Sequence, residues 1–226
     1  NLFQALFQVL KEYEYPDIQS NVVDCFTNLA ESLSDGIVPY TSELFPILIQ
    51  ASTEMNNPEE AKLKASAVEC LGVLIKYVSE QSDIEQILQI FCGCIGDDDP
   101  LLISAGFRSL TNTLKSEISV ITQILPDALR ISLSIIQSEP TFIDDEDDDD
   151  RNDQIYDYWS FTMDFIREVA KKIPGSLQDC LNDFKEALYK LIQDECDEEI
   201  VSISLKTAST IIRVCSPEET IGFLTE

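Results

Sequence analysis

The stretch that decides the fold is residues 39–78, PYTSELFPILIQASTEMNNPEEAKLKASAVECLGVLIKYV. Apolar residues recur in its first part with the spacing of one helix face, and they do so again over about 59–78. Between these parts, Asn57 can cap a helix and Pro58 suits the first helical position, where its missing N–H costs nothing. The stretch therefore predicts two amphipathic helices in succession, which need neighbours to bury both apolar faces.

This helix pair recurs along the chain. Pro16, Pro58 and Pro100 follow one another at the same interval of 42 residues, and each precedes an apolar run with helical spacing. The second helices of successive pairs can be superposed without a gap, as residues 22–33, 67–78 and 106–117. A helix-pair period of about 40 residues is typical of HEAT or armadillo-type repeats, which stack into a solenoid.

The sequence predicts an all-α chain that forms one α-solenoid of about five HEAT helix pairs, a fragment of a right-handed superhelix. The pairs are expected at about 1–34, 37–78, 82–115, 117–173 and 176–214, followed by a truncated helix at 217–226. An acidic insertion, 138–153, interrupts the fourth pair. Neither end of the sequence carries the polar cap that a free solenoid end needs, so we expect a piece from the middle of a longer superhelix.

Charge restricts the class of partner. The chain has 226 residues, with 42 acidic and 15 basic side chains and a formal net charge of −27. Nucleic acid is not expected as a direct partner, because phosphate contacts require clusters of Lys and Arg. A basic protein or peptide is favoured instead. The sequence has no apolar run of the ~20 residues that span a bilayer, so membrane insertion is not expected.

No catalytic, cofactor or metal site is expected. The chain has no histidine, and it lacks a glycine-rich phosphate loop and a nucleophile elbow. The close pair Cys92 and Cys94 has no histidine or second cysteine pair to complete a zinc site. Buried free thiols are expected where cysteines fall in the apolar register of helices, at Cys25, Cys70, Cys196 and Cys215.

Two acidic segments are the candidate binding elements. The first is a helix break formed by Asp97, Asp98 and Asp99, in which Asp99 is placed to cap the next helix. The second lies in the insertion and consists of Asp144, Asp145, Glu146, Asp147, Asp148, Asp149 and Asp150. The whole acidic insertion, 138–153, repels itself and should be extended or disordered. It is either a passive solvated insertion or an arm that attracts a basic partner.

Aromatic residues follow the acidic block directly. Phe161 and Phe165 are expected in the core, whereas Trp159 is expected to offer its face to a lysine stem or cation. Asp157 and Asp164 lie on the same helix and are added to the candidate acidic surface.

Several passages resemble the central HEAT repeats of the karyopherin-β (importin-β) family of nuclear transport receptors. They are VPYTSELFPILIQAS (38–52), KLKASAVECLGVLIKYV (62–78), and Asp97 to Pro100 followed by LLISAGFRSL. The position of the acidic insertion, after helix 117–137 and before an aromatic-rich helix, is similar to that in the importins that carry ribosomal proteins and histones.

The resemblance implies a receptor that shuttles between cytoplasm and nucleus. It implies binding of basic cargo or a nuclear localisation signal on the concave face, formed by second helices, through the candidate residues named above. It also implies contact with FG nucleoporins between first helices on the convex face, and binding of Ran-GTP mainly through repeats outside this sequence. Two alternatives remain open: a HEAT-repeat scaffold subunit of another assembly, and an acidic chaperone for basic proteins.

Overall fold

The computed structural model describes residues 2–53, 60–138, 149–193 and 197–214. No β-strand occurs in these ranges, so the prediction of an all-α fold is confirmed for them. The helices are α1 (Leu2–Glu12), α2 (Pro16–Leu33), α3 (Val38–Thr53), α4 (Ala61–Leu74), α5 (Gln81–Ile95), α6 (Pro100–Lys115), α7 (Leu125–Gln137), α8 (Asp149–Lys172), α9 (Leu181–Gln193) and α10 (Glu198–Val214). None of them combines the length and apolar composition that a membrane crossing requires.

Proline sets two of the predicted helix starts. Helices α2 and α6 begin at Pro16 and Pro100, as the repeat interval predicts. The predicted cap is also confirmed, because the backbone N–H of Leu101 donates to Oδ1 of Asp99 at 2.8 Å. The predicted start at Asn57 and Pro58 lies outside the described residues.

Two predicted boundaries are wrong. Residues 117–137 do not form one helix, because Glu117 adopts a positive φ of 59° and a 3₁₀ segment, Ser119–Gln123, precedes α7. As a result, Pro126 lies in the first turn of α7, where its missing N–H leaves no helical hydrogen bond unmade. The expected extended block is also wrong for residues 149–153, which form the first turns of α8.

The first compact unit, residues 1–120, consists of two layers of helices. The helices pack as pairs, α1 with α2, α3 with α4, and α5 with α6. The second helices α2, α4 and α6 also pack side by side in chain order, while the first helices α3 and α5 contact each other. Fully buried phenylalanines at 26, 91 and 107 fill the space between the layers.

Small side chains let the second helices approach closely. The hydroxyls of Ser20 in α2 and Ser66 in α4 share a buried hydrogen bond of 3.0 Å. On the other side of α4, the Ser109 hydroxyl of α6 donates to the Val68 carbonyl at 2.9 Å. A Cβ atom at Gly72 would lie 2.5 Å from the Ser109 Oγ, so only glycine fits this contact.

The second compact unit, residues 121–226, repeats the same arrangement. Helix α7 packs with α8 and α9 packs with α10. The second helices α8 and α10 contact each other, and so do the first helices α7 and α9. Trp159, Phe165 and Phe184 are its largest fully buried side chains.

Candidate partner-binding surface

In the acidic segment before α6, one carboxylate accepts hydrogen bonds from the backbone of the next two residues. Oδ1 of Asp97 accepts the backbone N–H groups of Asp98 at 2.8 Å and Asp99 at 3.1 Å. Lys64 of α4 places its Nζ 3.9 Å from the other carboxylate oxygen of Asp97. Two of the three predicted binding carboxylates thus have structural partners, since Asp99 caps α6. Asp98 is the exposed member of the three.

The candidate residues of the acidic insertion fall into two groups. Asp144, Asp145, Glu146, Asp147 and Asp148 lie outside the described residues. Asp149 and Asp150 belong to the first turn of α8.

Trp159 does not form the expected surface for a cation. Its side chain is only 1% exposed and lies in the core of the second unit. Phe165 is buried as expected, whereas Phe161 is half-buried. The prediction for Trp159 is wrong because helical spacing points residues 155, 159, 163 and 166 of α8 inward together.

Two carboxylates of the predicted set, Asp157 and Asp164, remain on α8. Asp157 is exposed. Asp164 forms an ion pair with Arg167, three residues further along α8. Arg167 also contacts the hydroxyl of Thr207 in α10 at 3.4 Å, and burial lowers the pKa of its guanidinium. Asp164 therefore helps to hold the α8–α10 contact.

The first unit carries a charged row that the sequence reasoning missed. Asp24 of α2, Glu69 of α4 and Arg108 of α6 occupy equivalent positions in the three superposed second helices. The Arg108 guanidinium donates to Oε2 of Glu69 at 3.0 Å, which joins α4 and α6. We call these three residues the second-helix row. The superposition itself was the signal that could have revealed it.

The carboxylate of Glu69 is the electrostatic centre of the second-helix row. Burial raises the pKa of this carboxyl above its ordinary value, while the charge and the hydrogen bond of Arg108 act to lower it. The negative charges of Asp24 and Glu31 raise the pKa further. Glu69 therefore lies in an acidic environment that one arginine only partly neutralises.

On the opposite layer of the first unit, a groove lies between the first helices α3 and α5. It has a volume of about 540 Å³. Phe45, Pro46 and Ile49 supply its apolar side, and Ser42, Asp83 and Gln86 its polar side. Proline at 46 lies inside α3, so the preceding turn leaves a carbonyl without its helical N–H donor at this groove. The groove can accept an apolar side chain from a partner.

Burial was predicted for four cysteines, of which Cys196 and Cys215 lie outside the described residues, and one of the other two differs from the prediction. Cys70 is fully buried as expected, and burial raises the pKa of its thiol to about 12. Cys94 is also buried, with a thiol pKa raised to about 11 by the same cause. Such thiols are weak nucleophiles at neutral pH. Cys25 is exposed, so its predicted burial is wrong: among the described helices, α2 packs mainly against α1 and α4, and neither covers this position.

Comparison with known proteins assigns no family or function to the chain. No protein-family model matches the chain, and a search of curated proteins finds no similar sequence. Within the described part of the chain, no group of three or more Cys, Asp or Glu side chains is arranged to hold a metal ion.

Proposed function

We propose that this chain is a HEAT-type α-solenoid segment of a nuclear transport receptor of the importin class, and that it binds basic cargo on its second-helix layer. The observation that carries the proposal is the second-helix row, in which the carboxylates of Asp24 and Glu69 occupy equivalent positions on neighbouring helices. The packing of second helix on second helix within each unit supports a solenoid built by repetition of one helix pair.

Electrostatics gives the binding mechanism. A net charge of −27 attracts a lysine-rich segment over a distance set by salt screening, about 8–10 Å at physiological ionic strength. At contact, partly buried carboxylates such as that of Glu69 are screened less than fully exposed ones. The second-helix row therefore fixes where a basic side chain docks, while the remaining acidic surface raises the association rate.

Arg108 weakens the binding of basic side chains at the second-helix row. Its guanidinium already lies on the Glu69 carboxylate at 3.0 Å. An incoming lysine or arginine competes with Arg108 for that carboxylate. Removal of the Arg108 charge should consequently strengthen the binding of a basic peptide, whereas removal of the carboxylates should weaken it.

The groove between α3 and α5 fits the second activity of such a receptor. Its apolar wall, formed by Phe45, Pro46 and Ile49, belongs to the first helix α3 and thus to the layer opposite the second-helix row. In this proposal, it takes a phenylalanine side chain of an FG nucleoporin. Cargo and nucleoporin would then bind at the same time, because they use different layers.

A fluorescence-anisotropy titration with a labelled lysine-rich peptide tests cargo binding on the 226-residue chain. The double variant Asp24→Asn, Glu69→Gln should weaken binding about two- to tenfold, and Arg108→Gln should strengthen it, as expected for the loss of single charge contacts. The matched control is Glu43→Gln, Glu85→Gln, which changes the net charge equally but on the first helices α3 and α5. Equal weakening by the two double variants would contradict a defined docking surface.

An acidic chaperone for basic proteins is the second candidate, because the net charge of −27 supports it as well. Such a chaperone would bind basic proteins without regard to Ran. Measurement of Ran binding on the full-length protein therefore separates the two candidates.

A further inference from the structure

We draw no further inference here: the strongest candidate, the face of α2 on which Ile18 and Cys25 are exposed, has nothing in the structure to show what covers it.

Discussion

Glu69 of α4 and Arg108 of α6 form a hydrogen-bonded ion pair of 3.0 Å that joins two neighbouring second helices. Burial and the ion pair act in opposite directions on the pKa of the Glu69 carboxyl. Burial of the Glu69 carboxyl, together with the negative charges of Asp24 and Glu31, outweighs the effect of Arg108, so the pKa of Glu69 is raised rather than lowered. The folded chain therefore holds a proton on Glu69 more readily than the unfolded chain does.

The raised pKa of Glu69 predicts a pH dependence of stability. A group whose pKa is higher in the folded state contributes stability that is fully present below its unfolded pKa and is lost as pH rises through its folded pKa. The difference in unfolding free energy between the wild type and Glu69→Gln should therefore increase as pH falls from about 7 toward the ordinary glutamate value. Urea unfolding of both proteins at constant ionic strength measures this difference.

If the difference in unfolding free energy between the wild type and Glu69→Gln instead decreases as pH falls, the prediction is contradicted. Glu69 then behaves as a carboxylate stabilised by Arg108, and burial has the smaller effect on its pKa. The acidic environment assigned to the second-helix row would then be incorrect.

Because Gly72 lies against Ser109, we expect a methyl group added at Gly72 to destabilise the first unit. Gly72→Ala should destabilise the first unit by about 1–3 kcal/mol, because its Cβ would meet backbone as well as side-chain atoms of Ser109 within 2.7 Å. Gly93→Ala is the matched control, since a Cβ there meets nothing within 4 Å. It should stabilise α5 by about 0.5–1 kcal/mol through helix propensity. Equal unfolding midpoints for the two variants would show that α4 and α6 are not in close contact.

The three aspartates before α6 should differ in their effect on stability. Asp99→Ala removes the cap of α6 and should cost about 0.5–2 kcal/mol. Asp98→Ala removes a charge of the same sign from the adjacent exposed position and should change stability by less than about 0.5 kcal/mol. Thermal or urea unfolding compares them directly. A larger loss for Asp98→Ala than for Asp99→Ala would exclude the capping role.

Local patterns in the sequence were sufficient to predict most of the helices. The interval between Pro16 and Pro100 gave the starts of α2 and α6, because proline is tolerated in the first turn and excluded from most later positions. The end of α2 could not be predicted from such a signal. Glycine is the residue that most readily takes a positive φ, yet Ser34 rather than the nearby Gly36 takes one, of 47°. The chain there continues directly into α3 through a 3₁₀ turn, Ser34–Ile37, which leaves Gly36 in a helical conformation.

The candidate surface was harder to predict because it depends on packing between helices. The sequence places Trp159 after an acidic block, but only its position in the inward stripe of α8 shows that it is buried. Conversely, Glu69 looks like an ordinary surface glutamate. Its partial burial follows from the close approach of α2 and α6 to α4, which depends on small residues such as Gly72.

The central claim is most directly tested by Ran binding to the full-length natural protein that contains this sequence. The measurement is the affinity for Ran loaded with GTP and with GDP, each in the presence of a lysine-rich cargo peptide. A transport receptor should bind Ran-GTP selectively and release the cargo when it does so. Affinity that does not depend on the nucleotide, with cargo retained, would contradict the proposed function and leave an acidic chaperone or a scaffold.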